Sequence, residues 1–199
     1  MDMGEPYPDS PNEGVMTTAA ELIPLASPDF ESGPPREDAI ELARVVDRGI
    51  RESKIINVEK LCIKEGEKVW IVFIDLHIID YDGNLFDAAS LAALAALLTA
   101  KIPNERFELG EDKPLPLSEP PISCTSVKFD GTIAMDPSLD EEDIAEARLT
   151  VSTDEKGDIR AMQKGLNGSF TVEEIKKVIK DSIDNGKEIR KQLYKSVGK

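Results

Sequence analysis

The sequence predicts a mixed fold of the α/β class, in its α+β form, and three observations support this. A strongly apolar strand at residues 69–79 leads through a short acidic turn into an alanine-rich helix that reaches about Lys101. Two later segments, 122–135 and 147–164, are typical of antiparallel hairpins. Two helices, each with one apolar face, lie at residues 36–54 and from Thr171 onward.

The N-terminal part, residues 1–35, is rich in proline, glycine, serine and acidic side chains. This composition predicts extended chain and loops, with one strand at residues 13–22. Residues 36–54 are predicted to be helical, because acids occupy the first turn and apolar residues recur every three or four positions. Gly49 costs about 1 kcal/mol inside a helix, which indicates close packing against another backbone.

The strand at residues 69–79 begins with six apolar residues, which predicts a central strand buried on both faces there. Its later part places Asp75 and His77 on one face and Leu76 and Ile78 on the other. The following helix carries alanine on almost every side, as expected for a helix packed between other elements. Residues 102–121 are predicted to be a long proline-rich loop. The hairpins turn at Asp130-Gly131 and at residues 154–157, and a capping box from Thr171 to Glu174 begins a last helix that ends near Ser196.

The chain has 199 residues, with 39 acidic and 24 basic side chains, for a formal net charge of −15. This charge argues against nucleic-acid binding unless basic residues are concentrated locally or supplied by a partner. One domain is expected at this length. Because no apolar run reaches the roughly 18 residues that span a bilayer, and no signal sequence is visible, we expect a cytoplasmic protein.

Metal and cofactor sites are not predicted. Cys62 and Cys124 match no metal-binding spacing, and we expect both to be buried, reduced thiols. His77, the single histidine, lies within the predicted strand, where a packed or edge-facing side chain is expected. Zinc sites normally require sets of cysteine and histidine ligands, which this chain does not provide.

The turn at residues 80–87 occupies a position where helix N-terminal amides commonly bind an anion. The turn contains no cation, however. Asp82 and Asp87 repel a phosphate, and Leu85 and Phe86 are apolar. The pattern therefore predicts a binding fold whose catalytic pocket has been lost.

Several segments, in the same order along the chain, resemble the RNase PH family and, more narrowly, its non-catalytic ring subunits of archaeal exosomes. They are residues 6–9, 21–26, 43–53, 80–90, 135–139 and 146–150. The resemblance implies the ribosomal protein S5 domain 2-like βαβα fold, as a single RNase PH-like domain over residues 1–199. It also implies an N-terminally shortened form, in which the family's first helix and strands are missing and sheet edges stay unpaired.

Active family members degrade RNA from its 3′ end by phosphorolysis, and the resemblance implies that this chain lacks that site. Active members hold the phosphate with a threonine and an arginine, whereas the turn here continues after Gly83 with Asn-Leu-Phe. Asp136 and Glu142 match two of three expected acids, and Arg148 occupies the third position, which reverses the local field. These residues and Asp82 are therefore interpreted as remnants of a degenerate active site. The resemblance implies no catalytic residues and no bound metal in this chain. From spacing alone, Asp136 and Glu142 belong to a solvated acidic loop.

Three arginines, Arg44, Arg48 and Arg51, share one face of the first predicted helix. Spacing alone favours a solvated stripe paired to nearby acids at 41, 47 and 52. In the resembling family this helix faces the central pore, so the resemblance implies that the arginines contact single-stranded RNA through its phosphates.

The resemblance also implies partners. Family rings alternate three active and three inactive subunits and carry S1/KH-type cap subunits, so we expect a hexameric ring with an active RNase PH-like subunit, single-stranded RNA and no membrane. Such a subunit would structure the active site of its neighbour in RNA degradation. Two alternatives are an active phosphate-dependent 3′–5′ exoribonuclease and a scaffold unrelated to RNA.

Overall fold

The computed structural model describes residues 1–198, in which two β-sheets and a small ribbon are packed with four α-helices. In chain order the elements are β1 (Asp2–Gly4), β2 (Val15–Leu22), α1 (Glu37–Ser53), a 3₁₀ turn (Val58–Leu61), β3 (Cys62–Lys64), β4 (Lys68–Ile78), α2 (Leu85–Thr99), β5 (Lys101–Ile102), a second 3₁₀ turn (Glu105–Phe107), β6 (Lys113–Pro114), β7 (Ile122–Phe129), β8 (Thr132–Met135), α3 (Leu139–Asp143), β9 (Ala147–Thr153), β10 (Ile159–Gly165) and α4 (Val172–Ser196). This arrangement confirms the predicted mixed fold.

The first sheet is built around β4, which pairs with β1 and β3 antiparallel and with β2 parallel. A parallel pair requires a crossover, and α1 lies within the connection from β2 to β4. The central position predicted for β4 is therefore confirmed, but its burial on both faces is wrong. Phe73 is 48% exposed, and Asp75 and His77 follow it on the same open face. One face of the strand packs on the core, as is common in mixed sheets.

The second sheet has the order β10-β9-β7-β8, and all of its pairs are antiparallel. Both predicted hairpins are confirmed, and the first turns at Asp130-Gly131 as expected. Helices cover both faces: a Cβ placed at Gly49 of α1 would lie 3.1 Å from Ser152 Oγ, and one at Gly186 of α4 would lie 3.2 Å from Thr153 Oγ1. Gly49 thus permits close packing against sheet side chains, and the prediction that it packs against another backbone is wrong.

Helix α2 lies between α1 and the two sheets, which bury the side formed by Phe86, Ala89, Ala93 and Leu97. Its other side is open, since Ala92 and Ala96 are exposed. Helix α2 was predicted to be packed on almost every side. The structure confirms this packing for one side of the helix only. Helix α4 begins with the predicted capping box and ends at Ser196, as expected.

The sequence missed the shortest elements and misjudged the burial of Cys62. Strands β1 and β3 and helix α3 have three to five residues each, and the predicted loop at 102–121 contains the β5–β6 ribbon and the second 3₁₀ turn. Cys124 is a buried free thiol, but Cys62 is only half-buried. Exposed His77 lies 3.1 Å from Glu21, measured between Nδ1 and Oε2. Within residues 1–198, no helix combines the length and the hydropathy that crossing a bilayer requires.

Candidate functional site

The N-terminus of α2 is in direct contact with the chain that follows β8. Gly83 has φ +96°, and a Cβ there would lie 2.6 Å from backbone atoms of Pro137, Ser138 and Leu139. In the same contact, the Leu139 N–H donates a hydrogen bond of 3.2 Å to the Asp82 carbonyl. Glycine is therefore required at position 83 by its backbone conformation and by the lack of space. The contact brings Asp82, Gly83 and the segment after Asp136 together.

Asn84 is the N-cap of α2 and joins the remnant acids. It is 5% exposed and has φ +45°, a left-handed conformation that asparagine tolerates better than most residues. Its Nδ2 group donates to Asp136 Oδ1 at 2.7 Å and to Asp87 Oδ2 at 2.9 Å. Its backbone N–H donates to Glu142 Oε1 at 3.1 Å. Three carboxylates thus receive hydrogen bonds from one residue.

Glu142 occupies the position near the start of α2 where an anion would bind. Besides the Asn84 amide, it accepts a 2.8 Å hydrogen bond from the Tyr81 hydroxyl, on Oε2. Burial and this hydrogen bond raise the pKa of Tyr81, so that its hydroxyl remains a donor. A carboxylate from α3 therefore satisfies donors at the start of α2, and the turn at 80–87 supplies no cation to attract a second anion.

Asp87 connects α2 to the second sheet. Its carboxylate accepts hydrogen bonds from the Thr125 backbone N–H and hydroxyl, both at 2.8 Å. The Thr125 hydroxyl in turn lies 2.8 Å from the Thr150 hydroxyl. Burial raises the pKa of Asp87 to about 6, although hydrogen bonds from Asn84 and Thr125 oppose the shift. The Asp87 carboxyl is therefore a structural group that titrates near neutral pH.

Arg148, which the sequence indicates as the third remnant position, pairs with an acid and packs on an aromatic ring. One terminal nitrogen donates to Glu41 Oε1 at 2.7 Å, and the guanidinium carbon lies 4.1 Å from the centroid of the Phe86 ring. The side chain is only 14% exposed. Gly165 makes room for it, because a Cβ there would lie 2.5 Å from the guanidinium. Arg148 thus links β9 to α1 and α2.

The arrangement of these groups is not suited to binding a metal ion. Asp87, Asp136 and Glu142 each accept hydrogen bonds from donors within the chain. Among residues 1–198, no group of three or more potential ligands is placed to hold a metal. The acids are therefore arranged to receive N–H and O–H donors.

The three arginines of α1 have different surroundings. Arg51 forms two hydrogen bonds of 2.9 Å to Asp47 and a third of 3.0 Å to the Met16 carbonyl. Arg44 and Arg48 are exposed, and neither forms an ion pair within the part of the chain that the structure describes. Both line a groove of about 450 Å³ between α1 and β2. Spacing alone predicted a paired stripe, but only Arg51 is paired.

Sequence reasoning did not identify Tyr81, Asn84 or Glu41 as parts of this site. The spacing of Asn84 and Asp87, an N-cap followed three residues later by an acid, is a signal that could have located the start of the helix. Nothing in the sequence indicated that Glu41 pairs with Arg148, because 107 positions separate the two residues.

Comparisons with known proteins account for most of the chain. The model for the 3′ exoribonuclease family, domain 1, matches residues 1–103, and the model for domain 2 matches residues 119–184. The exosome complex component Rrp42 of Methanocella arvoryzae is 57% identical over 190 residues, which cover 96% of this chain and 73% of that protein. The Rrp42 of Thermoplasma acidophilum is 55% identical over 195 residues, covering 98% and 75%.

The fold is also similar to a chain in the structure of the Archaeoglobus fulgidus exosome with RNA bound to the active site. The TM-score is 0.94 at 49% sequence identity, and the match covers 96% of this chain and 76% of that chain. A chain of an archaeal exosome core matches with a TM-score of 0.88 and 44% identity.

The contact at Gly83 leads to a first prediction. Gly83→Ala should lower the free energy of unfolding by at least about 2 kcal/mol more than Gly110→Ala, as judged by urea denaturation. Gly110 is a matched control, because it has φ +105° but no atom lies within 4 Å of the position that a Cβ would occupy. Alanine there meets only the backbone penalty of about 1–2 kcal/mol. If both variants lose the same free energy of unfolding, the backbone at 137–139 does not exclude a side chain at position 83.

Asp87 leads to a second prediction, on pH dependence. Because folding raises its pKa from 3.8 to about 6, its stabilising contribution is full below pH 3.8 and is lost as the pH rises through about 6. Between these limits the free energy of unfolding should fall relative to that of Asp87→Asn, by an amount on the order of 3 kcal/mol. Urea denaturation of both proteins from pH 3.5 to 7.5 measures the difference.

Asp9→Asn, at an exposed position, controls for the loss of one negative charge. Its free energy of unfolding should follow that of the unsubstituted chain across this range. A constant difference between the unsubstituted chain and Asp87→Asn would contradict the raised pKa.

Proposed function

The chain belongs to the 3′ exoribonuclease family, as its motifs predicted, and from this premise we propose that it is a non-catalytic, RNA-binding subunit of an exosome. Its role is to pair with an active RNase PH-like subunit, to shape that subunit's active site and to help bind single-stranded RNA. The high identity to Rrp42 exosome components over nearly the whole chain supports the assignment to that complex.

The occupied N-terminus of α2 is the observation that carries the proposed lack of catalysis. Phosphorolysis requires the site to hold inorganic phosphate and to stabilise the charge that develops in the transition state. Here the Glu142 carboxylate already accepts hydrogen bonds from Asn84 and Tyr81. At an effective dielectric constant of 20, a second negative charge about 4 Å away would cost about 4 kcal/mol. The turn itself contributes no lysine or arginine to offset that cost, and the nearby Arg148 is already paired with Glu41.

Arg148 supports the same conclusion. A site that used an acid at this position to hold a metal ion would lose it when a cation replaced the acid. The guanidinium packs on Phe86 and pairs with Glu41, so it is held by α1 and α2. It is therefore not free to substitute for the arginine that active members place in the turn.

Arg44 and Arg48 are the residues that we propose to contact RNA. They are exposed and unpaired within residues 1–198, whereas Arg51 is bound to Asp47 and contributes less. With a rise of about 1.5 Å per residue, side chains four positions apart are separated by about 6 Å along the helix, which suits neighbouring phosphates of an extended strand. Such contacts give affinity without sequence preference.

The net charge of −15 is compatible with this role when other chains share the RNA. We propose three copies of this chain alternating with three active subunits in a cytoplasmic ring, with S1/KH-type subunits as caps. RNA then follows a path to which each subunit contributes a few cations, while the acidic remainder of this chain faces away from it.

The assignment predicts that the chain has no phosphorolytic activity of its own. The purified chain should release no nucleoside diphosphates from an unstructured RNA in the presence of phosphate. When it is assembled with an archaeal active RNase PH-like subunit, phosphate-dependent release should appear, and the native mass should be that of a hexamer. Chromatography of labelled products and native mass spectrometry provide the two measurements.

A catalytic variant of the partner is the necessary control, since it should abolish release without changing the mass of the ring. Phosphate-dependent decay by this chain alone would overturn the proposal in favour of an active exoribonuclease. Failure to assemble would favour a scaffold outside the exosome.

The arginines lead to a separate prediction for the assembled ring. Arg44→Glu with Arg48→Glu should weaken binding of a fluorescent single-stranded oligouridylate and reduce the salt dependence of binding. For single strands, the slope of log K against log salt should fall by about 0.7 for each phosphate that an arginine no longer neutralises. Fluorescence anisotropy at several salt concentrations measures both quantities.

Arg106→Glu is the charge-reversal control. Arg106 is exposed, but it lies on the 3₁₀ turn after β5 and does not line the groove beside Arg44 and Arg48. It should leave affinity and slope nearly unchanged. If the double variant keeps the original slope, Arg44 and Arg48 do not contact phosphates.

A further inference from the structure

A small cavity of about 190 Å³ lies between α1, the segment after β4 and the start of β9. This is smaller than the roughly 300 Å³ at which pockets for drug-sized ligands begin, so the cavity suits one ring system and not a nucleotide chain. The side chains of Leu42 and Phe86, both buried, contribute apolar surface. The cavity is distinct from the groove beside Arg44 and Arg48.

Arg148 lines this cavity with donors that are not used. A guanidinium has five N–H donors, and within the described residues the acceptor for Arg148 is Glu41 alone, through one nitrogen. The side chain is nevertheless 14% exposed, so most of its surface is removed from water. Donors in this state favour a ligand that offers acceptors, because buried unpaired donors are costly.

The acids that share the cavity disfavour an anionic group inside it. Asp38, Glu41 and Glu142 line it together with Arg148, which gives three carboxylates for one guanidinium. Asp38 forms no ion pair within residues 1–198, and its carboxylate remains available as an acceptor. The group that enters the cavity is therefore uncharged and carries acceptors on one edge and donors on another.

The donors of Arg148 favour a planar group as the occupant. Phe30 and Tyr81 both line the cavity, and because their rings stack on each other, with centroids 5.3 Å apart, they form part of its wall. A guanidinium is a planar fork, and it pairs best with two acceptors that lie in one plane. An apolar ring without polar edges would leave both Arg148 and Asp38 unmatched.

From these features we propose that the cavity is a guanine-binding pocket. Guanine presents O6 and N7 as neighbouring acceptors, which match the fork of an arginine, and N1–H and N2–H as neighbouring donors, which match a carboxylate. Arg148 therefore binds the O6/N7 edge and Asp38 accepts from N1–H and N2–H. Adenine is disfavoured, because its N6 amino group would place a donor against Arg148.

The pocket goes beyond the proposed function and depends neither on the arginines of α1 nor on ring assembly. It would add a base-selective contact to a chain whose other RNA contacts read only phosphates. The position that lost an acid would then have gained a role in recognition.

Titration of the full chain with the four nucleoside 5′-monophosphates, followed by heteronuclear NMR, tests the proposal. The phosphate group is the same in all four, so a difference among them reports the base. GMP should bind about tenfold more tightly than AMP, the discrimination expected of one bidentate base contact. It should shift the Arg148 Nε–H resonance and the amides of residues 38 and 81.

Arg148→Lys and Asp38→Asn should each weaken GMP binding to about the level of AMP. Asp38→Asn changes an exposed side chain without partners, so it remains informative if Arg148→Lys unfolds the protein. Arg160→Lys, on β10 and paired with Asp154, is the matched control and should bind GMP normally. Equal affinity for all four nucleotides, GMP binding that survives Asp38→Asn, or no saturable binding would overturn the proposal, whatever the outcome for the α1 arginines.

Discussion

The site depends on one hydrogen bond, which the backbone N–H of Asn84 donates to the Glu142 carboxylate. The first amides of a helix lack partners within the helix, and they carry the positive end of its dipole. In this chain an acid from α3 supplies an acceptor at the start of α2. For Glu142 to reach it, the backbone at 137–139 must lie against Gly83, where no side chain fits. Gly83, Asn84 and Glu142 therefore form one unit that joins α2 to the loops of the second sheet.

The same unit separates the charges of the molecule. The acids Asp87, Asp136 and Glu142 gather at the start of α2, where they receive N–H and O–H donors. Arg44 and Arg48, which form no ion pair within residues 1–198, lie instead on the exposed side of α1. The first region disfavours a phosphate, and the second offers two cations to a polyanion. This separation of charge is what the proposed function requires.

The extent to which the sequence predicted this structure depends on the range of the interactions involved. The hairpin at Asp130-Gly131 and the capping box of α4 were predicted because a few neighbouring residues determine them. The exposure of Phe73 was missed, because the six apolar residues at the start of β4 do not reveal which face lacks a covering layer. The pairing of Arg148 with Glu41 could not be predicted, since it requires α1 and β9 to be adjacent.

The surroundings of Arg148 tie the proposed lack of catalysis to the stability of the fold. A largely buried guanidinium needs a counterion and space, since a buried charge without a partner is expensive. Glu41 supplies the charge, Phe86 supplies a ring face, and Gly165 leaves the space. An acid restored at position 148 would face Glu41 as a like charge and would no longer pack on Phe86. An acid at position 148 would therefore require further changes on α1, α2 and β10, so these contacts stabilise the arrangement that contains arginine.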